Sequence, residues 1–141
     1  MRIFISTGEV SGDLQGSLLV AGLMRQATIK GIDLEILALG GDRMAEAGAT
    51  LLGNTTRISS LGLVEALPFV IPTWLIQQRA KQYLREDPPD ALILIDYAGP
   101  NIAIGNYVRR YLPHVPIIYY IAPQSWVWTF TERTTQQILN V

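Results

Sequence analysis
An aspartate, Asp96, stands directly after the continuous apolar run Ala91-Leu92-Ile93-Leu94-Ile95, and Asn101 comes next in the stretch Asp96-Tyr97-Ala98-Gly99-Pro100-Asn101. A carboxylate at the end of a buried strand lies at the rim of a cleft, where it can serve as a general base toward a hydroxyl. The same residues also read as a turn, because Gly, Pro and Asn are turn formers and an aspartate can cap such a turn. A second polar stretch is Gly8-Glu9-Val10-Ser11-Gly12-Asp13-Leu14-Gln15-Gly16, placed after the short apolar run that begins at Arg2. Its glycines are four apart, so it is not the dinucleotide fingerprint, and it lacks the Lys-Ser/Thr pair of a phosphate-binding P-loop. Glu9 and Asp13 oppose a phosphate at the helix end, although a helix N-terminus by itself favours anions. Two readings remain: a polar loop that meets a sugar hydroxyl, and a tight turn with Ser11 or Asp13 as helix cap.

Two further stretches carry aromatic or apolar character. Ala122-Pro123-Gln124-Ser125-Trp126-Val127-Trp128 places two indoles in a loop, suited to sugar faces, to a membrane interface, or to packing. Leu61 to Ile76 contains only one charge, Glu65. Pro68 and Pro72 interrupt it, and it is shorter than the roughly 20 apolar residues of a membrane span. It reads either as a patch that dips into lipid or as helices packed on a sheet.

Apolar periodicity gives the elements that position these stretches. Strands are expected at 2–7, 34–39, 91–95 and 115–121, with helices at 13–27, 43–47, 61–67, 73–86 and 102–112. Residues 49–58 read as extended or irregular, and Thr129-x-x-Glu132 resembles a capping box for a last helix. Strands that are apolar throughout and alternate with helices imply a parallel sheet covered on both faces, an α/β Rossmann-like fold. In such sheets ligands bind beyond the carboxyl ends of the strands, which selects residues 8–12, 40–42, 96–101 and 122–128.

Composition narrows the function classes. The chain has 141 residues, 11 Lys plus Arg against 12 Asp plus Glu, and a formal net charge of −1, which disfavours a nucleic-acid surface. It has no Cys and a single His, so disulfides, thiolate metal sites and His-rich metal sites are excluded. His114, beside Pro113, is expected in a surface loop. The N-terminal apolar run is too short for a signal peptide, and the chain is expected to be cytoplasmic. Only 16% of residues are charged, against the usual quarter, so the chain is apolar for its size.

Five stretches taken together resemble lipid-A-disaccharide synthase, an inverting glycosyltransferase of the two-domain GT-B type. They are Gly8-Glu9-Val10-Ser11-Gly12-Asp13 with Gly16, Gly40-Gly41 with Met44 and Gly48, Gly62-Leu63-Val64-Glu65, Asp96 with Asn101, and Pro123-Gln124-x-Trp126-x-Trp128. The resemblance implies transfer from UDP-2,3-diacylglucosamine to the 6-hydroxyl of 2,3-diacylglucosamine 1-phosphate, with release of UDP and with no metal or other cofactor. It implies that Asp96 is the base, that Asn101 orients its loop, and that Ser11, Gly12, Asp13 and Gln124 line the substrate cleft. It also implies a lipid-facing surface carrying Leu61, Leu63, Val64, Leu67, Phe69, Val70 and Trp74, and peripheral attachment at the inner face of the cytoplasmic membrane. The family often carries Asp-x-Pro-x-Phe-Asn, whereas this chain keeps the Asp–Asn spacing without that proline and aromatic. Family members run to well over twice this length, so 1–141 is expected to be one acceptor-side domain, inactive alone, with a UDP-binding domain after it. A non-catalytic α/β lipid- or partner-binding module is the rival reading. A nucleotide-dependent oxidoreductase half is disfavoured by the glycine spacing and by the lack of an acidic residue ending the second strand.

Overall fold
A computed structural model describes residues 1–56 and 70–122, apart from the side chains of residues 70–73. The expected helix at 61–67, Leu61, Leu63, Val64, Leu67 and Phe69, the side chain of Val70, Gln124, Trp126, Trp128 and the expected last helix lie outside the described residues. Along the chain run β1 (Arg2–Ser6), α1 (Val10–Lys30), β2 (Glu35–Gly40), α2 (Asp42–Glu46), β3 (Thr50–Asn54), α3 (Val70–Glu86), β4 (Ala91–Ile95), α4 (Ala98–Tyr111) and β5 (Ile117–Ile121). The strands form one five-stranded sheet in the order β3-β2-β1-β4-β5, with every pairing parallel.

The period-2 geometry of the strands divides the core between two faces. Ile3 and Ile5 of β1, Ile36 and Ala38 of β2, and Ile93 and Ile95 of β4 pack with Val20 of α1 and Met44 of α2. Phe4, Leu92 and Leu94 point the other way, against Ala80 and Leu84 of α3 and Ile104 and Val108 of α4. All five residues of β4 are buried, as its unbroken apolar run requires. Arg2 pairs with Glu35 at 2.7 Å and with Asp87 at the amino edge of the sheet, away from the strand ends that face the crevice.

Helix α3 begins three residues and β5 two residues away from the expected starts, and three further differences have identifiable reasons. Residues 50–54 are a true edge strand, which the short mixed sequence Thr50-Leu51-Leu52-Gly53-Asn54 does not announce. Helix α4 begins at Ala98, four residues early, because Pro100 falls in its first turn, where no backbone N–H is needed. Helix α1 begins at Val10, so Gly12 lies inside it with Gly16 rather than in the preceding turn. They are packing positions: a Cβ on Gly12 would meet Thr7 Oγ1 at 1.9 Å, and one on Gly16 would meet Met44 Sδ at 2.6 Å. Gly22, on the same helix, has open space around it. Gly12→Ala is therefore expected to destabilise the protein by about 2–3 kcal/mol through overpacking against a stiff threonine. Gly22→Ala is expected to stabilise it by about 0.5–1 kcal/mol through helix propensity. The midpoints of urea unfolding should move in opposite directions.

Candidate functional site
The strand order reverses direction at β1. The first half of the chain extends the sheet from β1 through β2 to β3; the second half starts on the other side of β1, with β4 and then β5. The crevice of an open α/β sheet opens at such a reversal, beyond the carboxyl ends of the two central strands. Here those ends are Thr7-Gly8-Glu9 after β1 and Asp96-Tyr97 after β4.

Side chains lace this edge of the sheet together. Thr55, after β3, donates through Oγ1 to the carbonyl of Thr7 at 2.7 Å and to that of Gly40 at 3.3 Å. Asp13, buried in α1, accepts from the backbone N–H groups of Gly41 (2.8 Å), Arg43 (3.3 Å) and Met44 (3.2 Å). It thereby satisfies free donors at the start of α2, which has no side-chain cap of its own. Asn101 is fully buried. Its Nδ2 donates to the carbonyls of Asp96 (2.7 Å), Ile95 (3.1 Å) and Ser6 (3.2 Å), while its Oδ1 accepts from Ser6 Oγ at 2.7 Å. One amide thus ties the end of β1 to the end of β4.

The Asp96-Tyr97 pair has unusual backbone geometry. Both residues are left-handed, at φ 48° and φ 50°. Such a conformation in non-glycine residues costs on the order of 1–3 kcal/mol each and persists only where surroundings enforce it. The Asp96 N–H donates to Ile121 O at 2.7 Å, and its carbonyl accepts from Asn101 Nδ2 and from Tyr119 Oη at 3.3 Å. All hydrogen bonds that described residues make to Asp96 fall on its main chain, and the residue is partly exposed at the end of β4. Tyr97 lays its ring across Gly8, where a Cβ would come within 2.1 Å of the ring carbons. The loops after β1 and β4 therefore meet through a glycine and an aromatic face. Burial and then the Glu9 carboxylate raise the Tyr97 phenol above its usual range. Burial and then the charge of Asp96 push Tyr119 up to about 12, against a lowering hydrogen bond from Asn101, so its hydroxyl stays protonated at neutral pH.

The expected site residues divide into two sets. Asp96 follows β4 at the crevice rim, and Ser11 is exposed in the first turn of α1, the helix that follows β1. Gly12 and Asp13, expected to line the cleft, and Asn101, expected to orient the Asp96 loop, sit beneath the surface. All three are buried, the polar atoms of Asp13 and Asn101 are engaged by other parts of the chain, and they support the crevice from beneath. Glu9, not Ser11 or Asp13, occupies the cap position of α1, and it makes no side-chain cap bond. His114 is exposed, as its proline-flanked position implied. Sequence reasoning missed Ser6 and Tyr119. A serine closing the apolar run Ile3-Phe4-Ile5 was the available signal for the first; nothing local marked the second. Among the described residues, no group of three His, Asp or Glu side chains is placed to hold a metal ion.

Comparison with known proteins adds to this geometry. A family model described as lipid-A-disaccharide synthetase matches residues 3–141. The lipid-A-disaccharide synthase of Gloeothece citriformis is 67% identical over 141 residues, covering 100% of this chain and 37% of that protein. The corresponding protein of Synechocystis sp. is 62% identical, covering 100% of this chain and 36% of that protein. That of Geobacter sulfurreducens is 39% identical over 127 residues, covering 90% of this chain and 32% of that protein. The chain thus spans about a third of the length of these relatives. Among solved structures, the calicheamicin glycosyltransferase CalG4 superposes with a TM-score of 0.52 at 21% identity, over 82% of this chain and 31% of that one. A kitacinnamycin glycotransferase superposes with a TM-score of 0.53 at 16% identity, over 99% of this chain and 34% of that one. These two likenesses establish the fold alone.

Proposed function
The chain belongs to the lipid-A-disaccharide synthetase family, and on that footing we propose that it is the acceptor-side domain of an inverting glycosyltransferase. The reaction joins UDP-2,3-diacylglucosamine to the 6-hydroxyl of 2,3-diacylglucosamine 1-phosphate. Asp96 takes the proton from that hydroxyl as its oxygen bonds to the donor's anomeric carbon; the bond to UDP breaks and UDP leaves with the electron pair. A base for this step must reach the hydroxyl directly, and the single observation that carries the reading is a partly exposed aspartate at the β1/β4 rim whose main chain is held by three hydrogen bonds. Ser11, exposed beside the crevice, and Gln124 are proposed to contact the sugar substrates. A second, UDP-binding domain completes the cleft, and the 141-residue piece alone is inactive. The test is incubation of the two-domain protein with both acylated sugars: equal amounts of disaccharide and UDP are expected. Vesicle binding without any transfer would instead favour a non-catalytic lipid-binding module.

Both substrates carry acyl chains, so the protein is proposed to work at the inner face of the cytoplasmic membrane, through the apolar 61–76 stretch. No helix among the described residues is long and apolar enough to cross a membrane. Early in α3, Trp74 is 58% exposed and Leu75 46% exposed, an orientation that suits an interfacial aromatic. Trp74→Ser should lower vesicle partitioning about fivefold, as expected for losing roughly 1 kcal/mol of aromatic burial. Co-flotation with phospholipid vesicles measures it; unchanged flotation removes Trp74 from the membrane surface.

A further inference from the structure
Two strands, β1 and β5, converge on the backbone of one residue at the end of β4. Ser6 at the end of β1 reaches it through Asn101, Ile121 of β5 accepts from its N–H, and Tyr119 of β5 donates to its carbonyl. We propose that Ser6 and Tyr119 are positioning residues for Asp96, an inference that rests on the reading of Asp96 as the base and that specifies what aims its carboxylate.

The Asn101 amide has a defined sense. Its Nδ2 faces three carbonyl oxygens, and its Oδ1 faces the one hydroxyl that donates to it, Ser6 Oγ. Both groups are buried, Ser6 at 1% exposure and Asn101 at 0%, so water cannot replace the Ser6 donor. Removing it leaves a buried acceptor unpaired and frees the amide to turn away from the Asp96 carbonyl. Tyr119 supplies the second restraint on that carbonyl across the place where the β4/β5 register shifts, between Leu94 and Ile95. Its hydroxyl, protonated at neutral pH as a phenol ordinarily is, is the donor to a carbonyl that can only accept. Without these two bonds the left-handed Asp96-Tyr97 pair relaxes toward ordinary backbone angles and the carboxylate swings with it. Misplacement of a reacting group by about 1 Å costs up to about 10²-fold in rate.

The test uses the two-domain enzyme with Ser6→Ala, Tyr119→Phe and Asp96→Asn, singly and with each of the first two combined with the third. Tyr119→Phe keeps the ring in the core, so it carries the test if Ser6→Ala fails to fold. Each positioning variant is expected to lower kcat about tenfold while KM for both sugars stays within about twofold. In the Asp96→Asn background each should add less than about a twofold further loss, because the group being aimed is already gone. Wild-type kcat in Tyr119→Phe, or a tenfold loss that persists in the Asp96→Asn background, overturns the inference and leaves Asp96 as base intact. A near-normal kcat in Asp96→Asn alone overturns the base assignment, and this inference with it.

Discussion

Asp96→Asn is expected to lower glycosyl transfer by about 10²–10⁴-fold, the range general-base catalysis contributes, with little change in stability. The amide is isosteric with the carboxylate, and the bonds that hold residue 96 come from its backbone N–H and carbonyl, which the substitution keeps. What is lost is the ability to accept a proton as the acceptor hydroxyl attacks. KM for both sugars should change little, since a base engaged in the transition state contributes little to ground-state binding. Steady-state transfer with both acylated substrates measures this. A rate near that of the unsubstituted enzyme would remove Asp96 from the chemistry, and a large fall in the unfolding midpoint would make it structural.

Asp13→Ala is expected to produce the largest loss of stability, about 3–5 kcal/mol, because it leaves up to three backbone N–H groups without an acceptor, at about 1–3 kcal/mol for each one buried. Gly41 and Met44 are buried, and water cannot readily take the place of the carboxylate there, whereas Arg43 is exposed and its N–H is the least costly of the three to leave. The geometry is close: a Cβ on Gly41 would lie 2.6 Å from Asp13 Oδ2, so the glycine is what lets α2 approach the carboxylate. Asp13→Asn should cost about half as much, since one oxygen remains to accept from Gly41 and Met44. Urea unfolding of the two variants checks both the size and the ranking. A loss below about 1 kcal/mol for Asp13→Ala would mean that α2 is capped in some other way.

Much of the scaffold was legible because its signals are local. Continuous apolar runs such as Ala91 to Ile95 imply strands buried on both faces, and those strands pair in parallel as that burial requires. The sequence selects the segments after every strand alike; the strand order of the folded sheet is what singles out those after β1 and β4. Roles within the crevice were less legible, because they depend on contacts far apart in the chain. Ser6 and Asn101 are 95 positions apart, and Asp13 meets α2 across 28 to 31 positions. The spacing of Gly8, Gly12 and Gly16 looks like a ligand-binding turn. Gly12 and Gly16 instead let α1 press against Thr7 and Met44, while Gly8 makes room for the Tyr97 ring. Asn101 reads as a turn residue, and only the folded chain shows that its amide joins the two central strands.

The altered residues between Asp96 and Asn101 have a structural counterpart. Gly99 and Pro100 lie within the first turn of α4, and a Cβ at Gly99 would meet nothing within 4 Å. The segment therefore turns directly from the left-handed Asp96-Tyr97 pair into helix, and Asn101 is brought beneath the Asp96 carbonyl one turn later.

Central to this mechanism is an acceptor sugar seated in the β1/β4 crevice with its 6-hydroxyl on Asp96. A crystal structure of the two-domain protein with 2,3-diacylglucosamine 1-phosphate bound tests it most directly. The 6-oxygen is expected within hydrogen-bond reach of the Asp96 carboxylate, about 2.6–3.2 Å. An acceptor seated elsewhere on the domain, or one whose 6-hydroxyl faces a different side chain, would contradict it.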